Sequence, residues 1–271
     1  MSPTRTLTPG TAGGGVPSSA PSATTDPAPT GDTTLADLMA GAGMTPSARR
    51  MFLVATPHIE DAGALARSCA EVLGGDLGSV HAFGCVTDGR IHLLAFDDPA
   101  VHDFAYVVAA HELLHLAYSR LPAAERARLD AQLQAARSAN PLLEERLRVY
   151  AASAKDTLNE VHSILGTEFG DLTPELEAHY SRYIDRGLVT AAFERTLGGR
   201  QREMRRLKAV ITDLEARLDQ MTPVLDALRA SGPVRAYNAM VGDYNALVDE
   251  HNAAVADLKA LVDEYNRLSG S

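Results

Sequence analysis

Val107-Val108-Ala109-Ala110-His111-Glu112-Leu113-Leu114-His115-Leu116-Ala117 lies near the middle of the chain, and its surroundings are read from it. The run Val101 to Leu121 contains neither Gly nor Pro. It is apolar on almost every side, so the pattern predicts a helix over 101–120 that is buried in a core. Two histidines at i and i+4 of a helix share a face, with their rings about 6 Å apart at the root. At that separation two imidazoles can share one tetrahedral zinc ion. The intervening Glu112 lies on the same side, where it can take a proton from a water. Chance yields this five-residue pattern in roughly one or two such chains in a hundred.

On the N-terminal side, Met51-Phe-Leu-Val-Ala55 reads as a short buried strand closed by Thr56-Pro57. Asp61 to Leu73 has helical spacing and ends at Gly74-Gly75. Val80–Val86 and Ile91–Phe96 flank Thr87-Asp88-Gly89-Arg90, and an Asp-Gly between two β-rich runs predicts a hairpin. The strand 90–96 is the expected edge along which an extended peptide could pair. His81 and His92 alternate with apolar neighbours on this hairpin and are expected to face solvent. Beyond the central helix the pattern stays helical near 123–138, 142–165 (with a break) and 173–185. Thr173-Pro174-Glu175 supplies the last of these with an N-cap, a first-turn Pro and an early acid.

A zinc site needs a third protein ligand. The positions after His115 where an extended motif would put Gly and His hold Tyr118 and Leu121, so that route is closed. Asn159-Glu160-Val161-His162-Ser163, in a helical stretch 45 residues beyond His115 at Glu160, offers a glutamate from a second helix. Glu160 is the expected third ligand. Asn159, Ser163 and Asp130 are candidates to orient the histidines. Hydrolysis also needs a donor to the developing oxyanion, for which His179, Tyr180 and Tyr183 are the candidates.

His111, Glu112, His115, Asn159, Glu160 and Ser163 together resemble the gluzincin branch of the zinc metallopeptidases. The resemblance covers roughly residues 50–185 and implies a zincin-like fold, a Zn(2+) cofactor and hydrolysis of a peptide or protein substrate with Glu112 as general base. Gly166-Thr167-Glu168 resembles, in part, the ligand segment of the aspzincins, although Phe169 stands where their aspartate would be. Glu168 is therefore the alternative ligand. A fourth ligand from Glu168 or His162 would instead favour a structural zinc site in a non-catalytic interaction protein, because structural zinc is closed by four protein ligands.

The last third of the chain is of another kind. Met204, Leu207, Ile211, Leu214, Leu218, Met221, Leu225 and Leu228 alternate spacings of three and four. After Ser231-Gly232-Pro233 the pattern resumes at Tyr237, Val241, Tyr244, Val248, His251, Val255, Leu258, Val262 and Tyr265, within a seven-residue repeat. Sustained heptads with a central Gly-Pro predict a coiled-coil hairpin of two antiparallel arms. Arg200, Arg202, Arg205, Arg206 and Lys208 are expected opposite Asp257, Asp263 and Glu264. Pro223 predicts a kink or a restart capped by Thr222. His251 is expected to pack against the other arm. The hairpin is a surface for a protein partner or for self-association.

Composition bounds the rest. The 271 residues carry 25 Lys plus Arg against 35 Asp plus Glu, a net charge of −10, which argues against nucleic-acid binding. No apolar run is long enough to span a bilayer and no signal peptide is visible, so the cytoplasm is the default compartment and an extracytoplasmic or envelope-associated one the alternative. Only Cys69 and Cys85 are present, and they can pair only in an exported protein. Residues 1–34 are rich in Ser, Thr, Pro, Ala and Gly and are expected to be disordered. The expected fold is α+β and mainly α: a zincin-like domain over 35–187 with a small antiparallel sheet, then the hairpin over 188–271.

Overall fold

The computed structural model describes residues 33–71, 83–150 and 157–269, and three quarters of these are helical. In chain order the elements begin with α1 (Leu35–Gly41), α2 (Pro46–Val54), β1 (His58–Glu60), α3 (Ala62–Ser68), β2 (Gly84–Thr87) and β3 (Arg90–Leu94). Then follow α4 (Phe104–Ser119), α5 (Ala123–Ala139), α6 (Pro141–Tyr150), α7 (Thr157–Glu168), α8 (Pro174–Tyr180) and α9 (Arg186–Arg195). Two long helices close the chain, α10 (Leu197–Ser231) and α11 (Val234–Ser269). The region expected to be disordered lies outside the described residues except for Thr33 and Thr34. Thr34 opens α1 through a reciprocal cap with Asp37, and the Thr33 hydroxyl bonds the ring of His102 at 3.0 Å.

The expected strand at Met51–Ala55 is part of helix α2. Thr45 caps it and Pro46 occupies its first position, a start signal that outweighs a short apolar run. Phe52 and Ala48, four apart, face the core, while Leu53 and Val54 are exposed. The sheet is mixed, not antiparallel. Its order is β1-β3-β2, with β1 parallel to β3 and β2 antiparallel to it. The hairpin between β2 and β3 turns at Asp88 (φ 51) and Gly89 (φ 74), the two positive φ values that a tight Asp-Gly turn requires. Because β3 is paired on both sides, it is the centre of the sheet and not the edge expected from the sequence. Among the described residues, β2 has no second partner strand.

One face of this sheet, with Ile91 and Leu93, enters the main core. The other face is covered by α3 and joined to it by a Cys69–Cys85 disulfide. His92 does not face solvent: its ring is largely covered, accepts or donates a 2.8 Å bond with Glu60 and stacks on His58. His81 lies outside the described residues.

Helix α4 is the centre of the core. Twelve of its sixteen residues are buried, and it packs against α7, α9, α1, α2 and the sheet. Such all-round burial accounts for the scarcity of charge along it. The long helical stretch 142–165 resolves into α6 and α7, with 151–156 outside the described residues. α8 starts as expected, with Thr173 accepting from Leu176 N–H. α9 runs across the expected division at 187/188, and its Val189, Ala192 and Phe193 belong to the same core as α4.

α10 and α11 pair in opposite directions. Arg200 bonds Glu264, Gln201 bonds the hydroxyl of Tyr265, and Glu215 approaches His251 at 3.5 Å, so one helix advances as the other retreats. Arg202 pairs with Glu194 and Arg206 with Glu203, while Arg206 also lies in the field of Asp257 on the facing arm. α10 continues through Pro223, and the Thr222 hydroxyl bonds the Leu218 carbonyl rather than capping a restart. The seam of α11 is Leu247, Ala254 and Leu268, all buried, in phase with the Tyr and His positions. Val255, expected in the seam, is 42% exposed. Both phases alternate three and four from the same tyrosines, so spacing alone does not separate them.

Candidate metal centre

His111 and His115 project from the same face of α4, their ring centroids 4.8 Å apart and nearly perpendicular. Glu160, in the first turn of α7, meets them both. Its Oε1 lies 3.3 Å from His111 Nε2 and its Oε2 lies 3.5 Å from His115 Nε2. A tetrahedral ion with bonds of about 2.0–2.1 Å holds its donors about 3.3–3.4 Å apart. The three side chains are thus spaced as ligands of one divalent cation. Glu112 completes the cluster: it and the two histidines each offer an atom within 4.8 Å of the others.

The surroundings fit such an ion. His115 Nδ1 lies 3.1 Å from the Asn159 side-chain oxygen. An N–H at Nδ1 donated to that oxygen leaves the Nε2 lone pair toward Glu160, the tautomer that metal ligation needs. Glu160 Oε1 and Glu112 Oε2 are buried without a hydrogen-bond partner among the described residues, as expected of oxygens that face a cation or its water. Burial pushes the Glu112 carboxyl up to about 7, with the Glu160 charge adding and the His115 charge opposing. Burial also pushes Glu160 upward, but the adjoining His111, His115 and Arg146 outweigh it and, before any metal is bound, hold the carboxyl at about 2. The side chains of His111 (13% exposed) and His115 (19%) keep a part of their rings in solvent, and Glu160 is buried behind them.

Two close approaches position these helices. A Cβ at Gly166 would stand 2.4 Å from a Leu114 methyl, so the glycine lets α7 lie against α4. A Cβ at Gly84 would stand 3.0 Å from Glu112 Oε1, so strand β2 passes directly over the general-base candidate. Gly84 was not singled out from the sequence, although a glycine inside a strand signals close approach. Arg146, whose charge helps hold Glu160 ionised, carried no local signal.

The other expected site residues have partners of their own. Glu168 forms a two-point ion pair with Arg146, at 2.6 and 2.9 Å, and is not joined to His111 or His115 among the described residues. His162 is fully buried, with its Nε2 2.9 Å from His179 Nε2. Tyr180 packs on His162 and Tyr183 on His179 of this pair. The Tyr180 hydroxyl donates to the His162 carbonyl and is fully buried, which removes it from the oxyanion donors. Of the expected orienting groups, Asn159 holds His115, whereas Asp130 accepts from Tyr118 at 2.6 Å. Ser163 is buried with its hydroxyl unbonded among the described residues.

No protein-family model, no curated protein and no solved structure matches the chain.

Proposed function

We propose that the protein is a zinc-dependent peptidase of gluzincin type, in which His111, His115 and Glu160 hold the ion. The observation that carries the reading is the placing of both Glu160 oxygens at ligand spacing from the two Nε2 atoms. When bound, zinc acidifies a water and polarises the carbonyl to be attacked. Glu112 does the proton work: it takes a proton from the water and delivers it to the departing amine, which leaves neutral. Burial keeps bulk water from competing for that carboxylate. Asn159 fixes the His115 ring, and the glycine at position 84 leaves Glu112 clear of strand β2. That strand, at the sheet edge, is the support for an extended substrate in place of the central β3. In this reading the sheet and α1–α9 form a zincin-like domain, and α10 with α11 an antiparallel coiled coil.

A structural zinc site on a scaffold protein is the competing reading. Partial exposure of His111 and His115 favours an open position for water over closure by a fourth side chain. The Cys69–Cys85 bond supports an oxidising, extracytoplasmic compartment over the cytoplasm. Substitution Glu112→Gln tests the catalytic assignment. Zinc should remain stoichiometric while hydrolysis of a fluorogenic peptide mixture falls by about 10²–10⁴-fold. Undiminished hydrolysis by the zinc-loaded variant would refute it.

A further inference from the structure

Gly84 is the point at which strand β2 reaches the site. A Cβ there would stand 3.0 Å from Glu112 Cγ and Oε1 and 2.9 Å from a Val108 methyl. The backbone of the strand is therefore part of the cover that leaves Glu112 buried. β2 is a slight element for that role, with four residues and, among the described residues, β3 as its one strand partner. Short edge strands open locally at low free-energy cost. Two anchors flank Gly84. Phe83 packs edge-on against Phe104 of α4, with ring centroids 5.1 Å apart, and beside Phe96. Cys85 forms the disulfide with Cys69 at the C-terminal end of α3.

The two anchors differ in kind. Apolar packing holds Phe83 in any compartment, whereas the bond to α3 exists only where thiols are oxidised. Around that bond lies a small cluster of its own, Leu65, Cys69 and Cys85 with Leu94 packed against them. α3 has seven residues, too few for a helix to hold itself in water. Without the link it stays on the sheet through Leu65, two thiols and a Ser68 bond to Glu60. The link joins positions 16 apart, so breaking it returns the freedom of that loop to the open form. Both sulfurs are buried, so the bond is set as α3 docks and is shielded from exchange afterwards.

We propose that Cys69 and Cys85 are positioning residues for Glu112, and that their oxidation turns the metal centre from latent to competent. The proposal rests on the peptidase function above. The oxidant is a disulfide-bearing partner. The thiolate of one cysteine attacks a sulfur of that disulfide and expels one thiol; the thiolate of the other attacks the mixed disulfide and expels the second. Two electrons and two protons pass to the partner, whose disulfide becomes two thiols. A peptidase built in this way is latent in a reducing compartment and competent once exported to an oxidising one.

Cys69→Ala/Cys85→Ala in the full chain tests it. Wild type with the bond reduced by a phosphine, then re-formed with glutathione disulfide, gives the same comparison should the variant not fold. Each zinc-loaded form is read by zinc stoichiometry, by kcat on the fluorogenic peptides and by amide hydrogen exchange over residues 84–94. Loss of the bond should leave one zinc per chain while exchange across β2 speeds up about tenfold or more. It should lower kcat by about 10–100-fold. Re-oxidation should restore the wild type and leave the alanine variant unchanged. Unaltered exchange across β2, or unaltered kcat, in the form without the bond overturns the proposal and leaves the peptidase standing. An oxidised, zinc-loaded wild type that hydrolyses nothing overturns the peptidase function itself, and this proposal with it.

Discussion

Burial acts on Glu112 and His179 in opposite senses because their charged forms differ in sign: it raises the acid and lowers the base. For His179, desolvation and then the Arg182 charge bring the imidazole down to about 4, against an ordinary value of 6.5. Between those values the unfolded chain binds a proton that the folded chain refuses, so stability is complete above pH 6.5 and falls as pH drops toward 4. The full shift corresponds to about 3 kcal/mol, and solvent screening of a partly wetted ring reduces this to about 2. Urea unfolding at pH 7.5 and 4.5 should therefore show a loss smaller by about 2 kcal/mol in His179→Gln than in the wild type. Equal losses would show that His179 is not the titrating group. At this scale the sequence discloses what is local. His111, Glu112 and His115 share a helix turn, so their common face follows from spacing alone. Glu160 was legible through its Asn-Glu-x-x-Ser setting. The commitment of Glu168 to Arg146, and of Tyr180 to the His162 carbonyl, depends on how separate helices dock, and no spacing within one helix encodes it.

Helix crossings explain both what was legible among the elements and what was not. α4, α5, α8 and the Asp-Gly hairpin follow from periodicity, caps and turn chemistry, all within a few residues. The parallel pairing of the short β1 with β3 joins residues 34 apart in the chain, as His58 with His92, which is why β3 was taken for an edge. The Met51–Ala55 segment has too few residues for its apolar run to separate strand from helix, and the decisive Thr45-Pro46 start lies upstream of it. The close crossing of α4 and α7 gives a direct test. In Gly166→Ala the new methyl meets Leu114 and Tyr180, and overpacking should outweigh the gain in helix propensity, for a net loss of about 1–2 kcal/mol. Gly242→Ala on α11, where nothing lies within 4 Å of the added atom, should instead stabilise by up to about 1 kcal/mol. Paired thermal melts read both signs, and a stable Gly166→Ala would mean that the two helices are not in contact there.

On the scale of the whole molecule, the α10–α11 pair is rooted in the same core that presents the His111, His115 and Glu160 cluster. Leu197 and Leu268 are buried in that core with Tyr265 packed on it, and Arg267 pairs with Asp98 ahead of α4. α9 carries the connection, through Phe193 against Phe104 at the start of the site helix. The sheet is held from its far side by α3 and the Cys69–Cys85 bond, which fixes β2 above Glu112. These supports serve one end, a carboxylate from α7 delivered to two imidazoles on α4. Zinc titration of the metal-free full chain by calorimetry, in parallel with Glu160→Ala and Glu168→Ala, measures that directly. The wild type and Glu168→Ala should each bind one zinc with equal affinity, and Glu160→Ala should bind at least 100-fold more weakly. Failure of the wild type to bind zinc, or undiminished binding by Glu160→Ala, would contradict the assignment of the site.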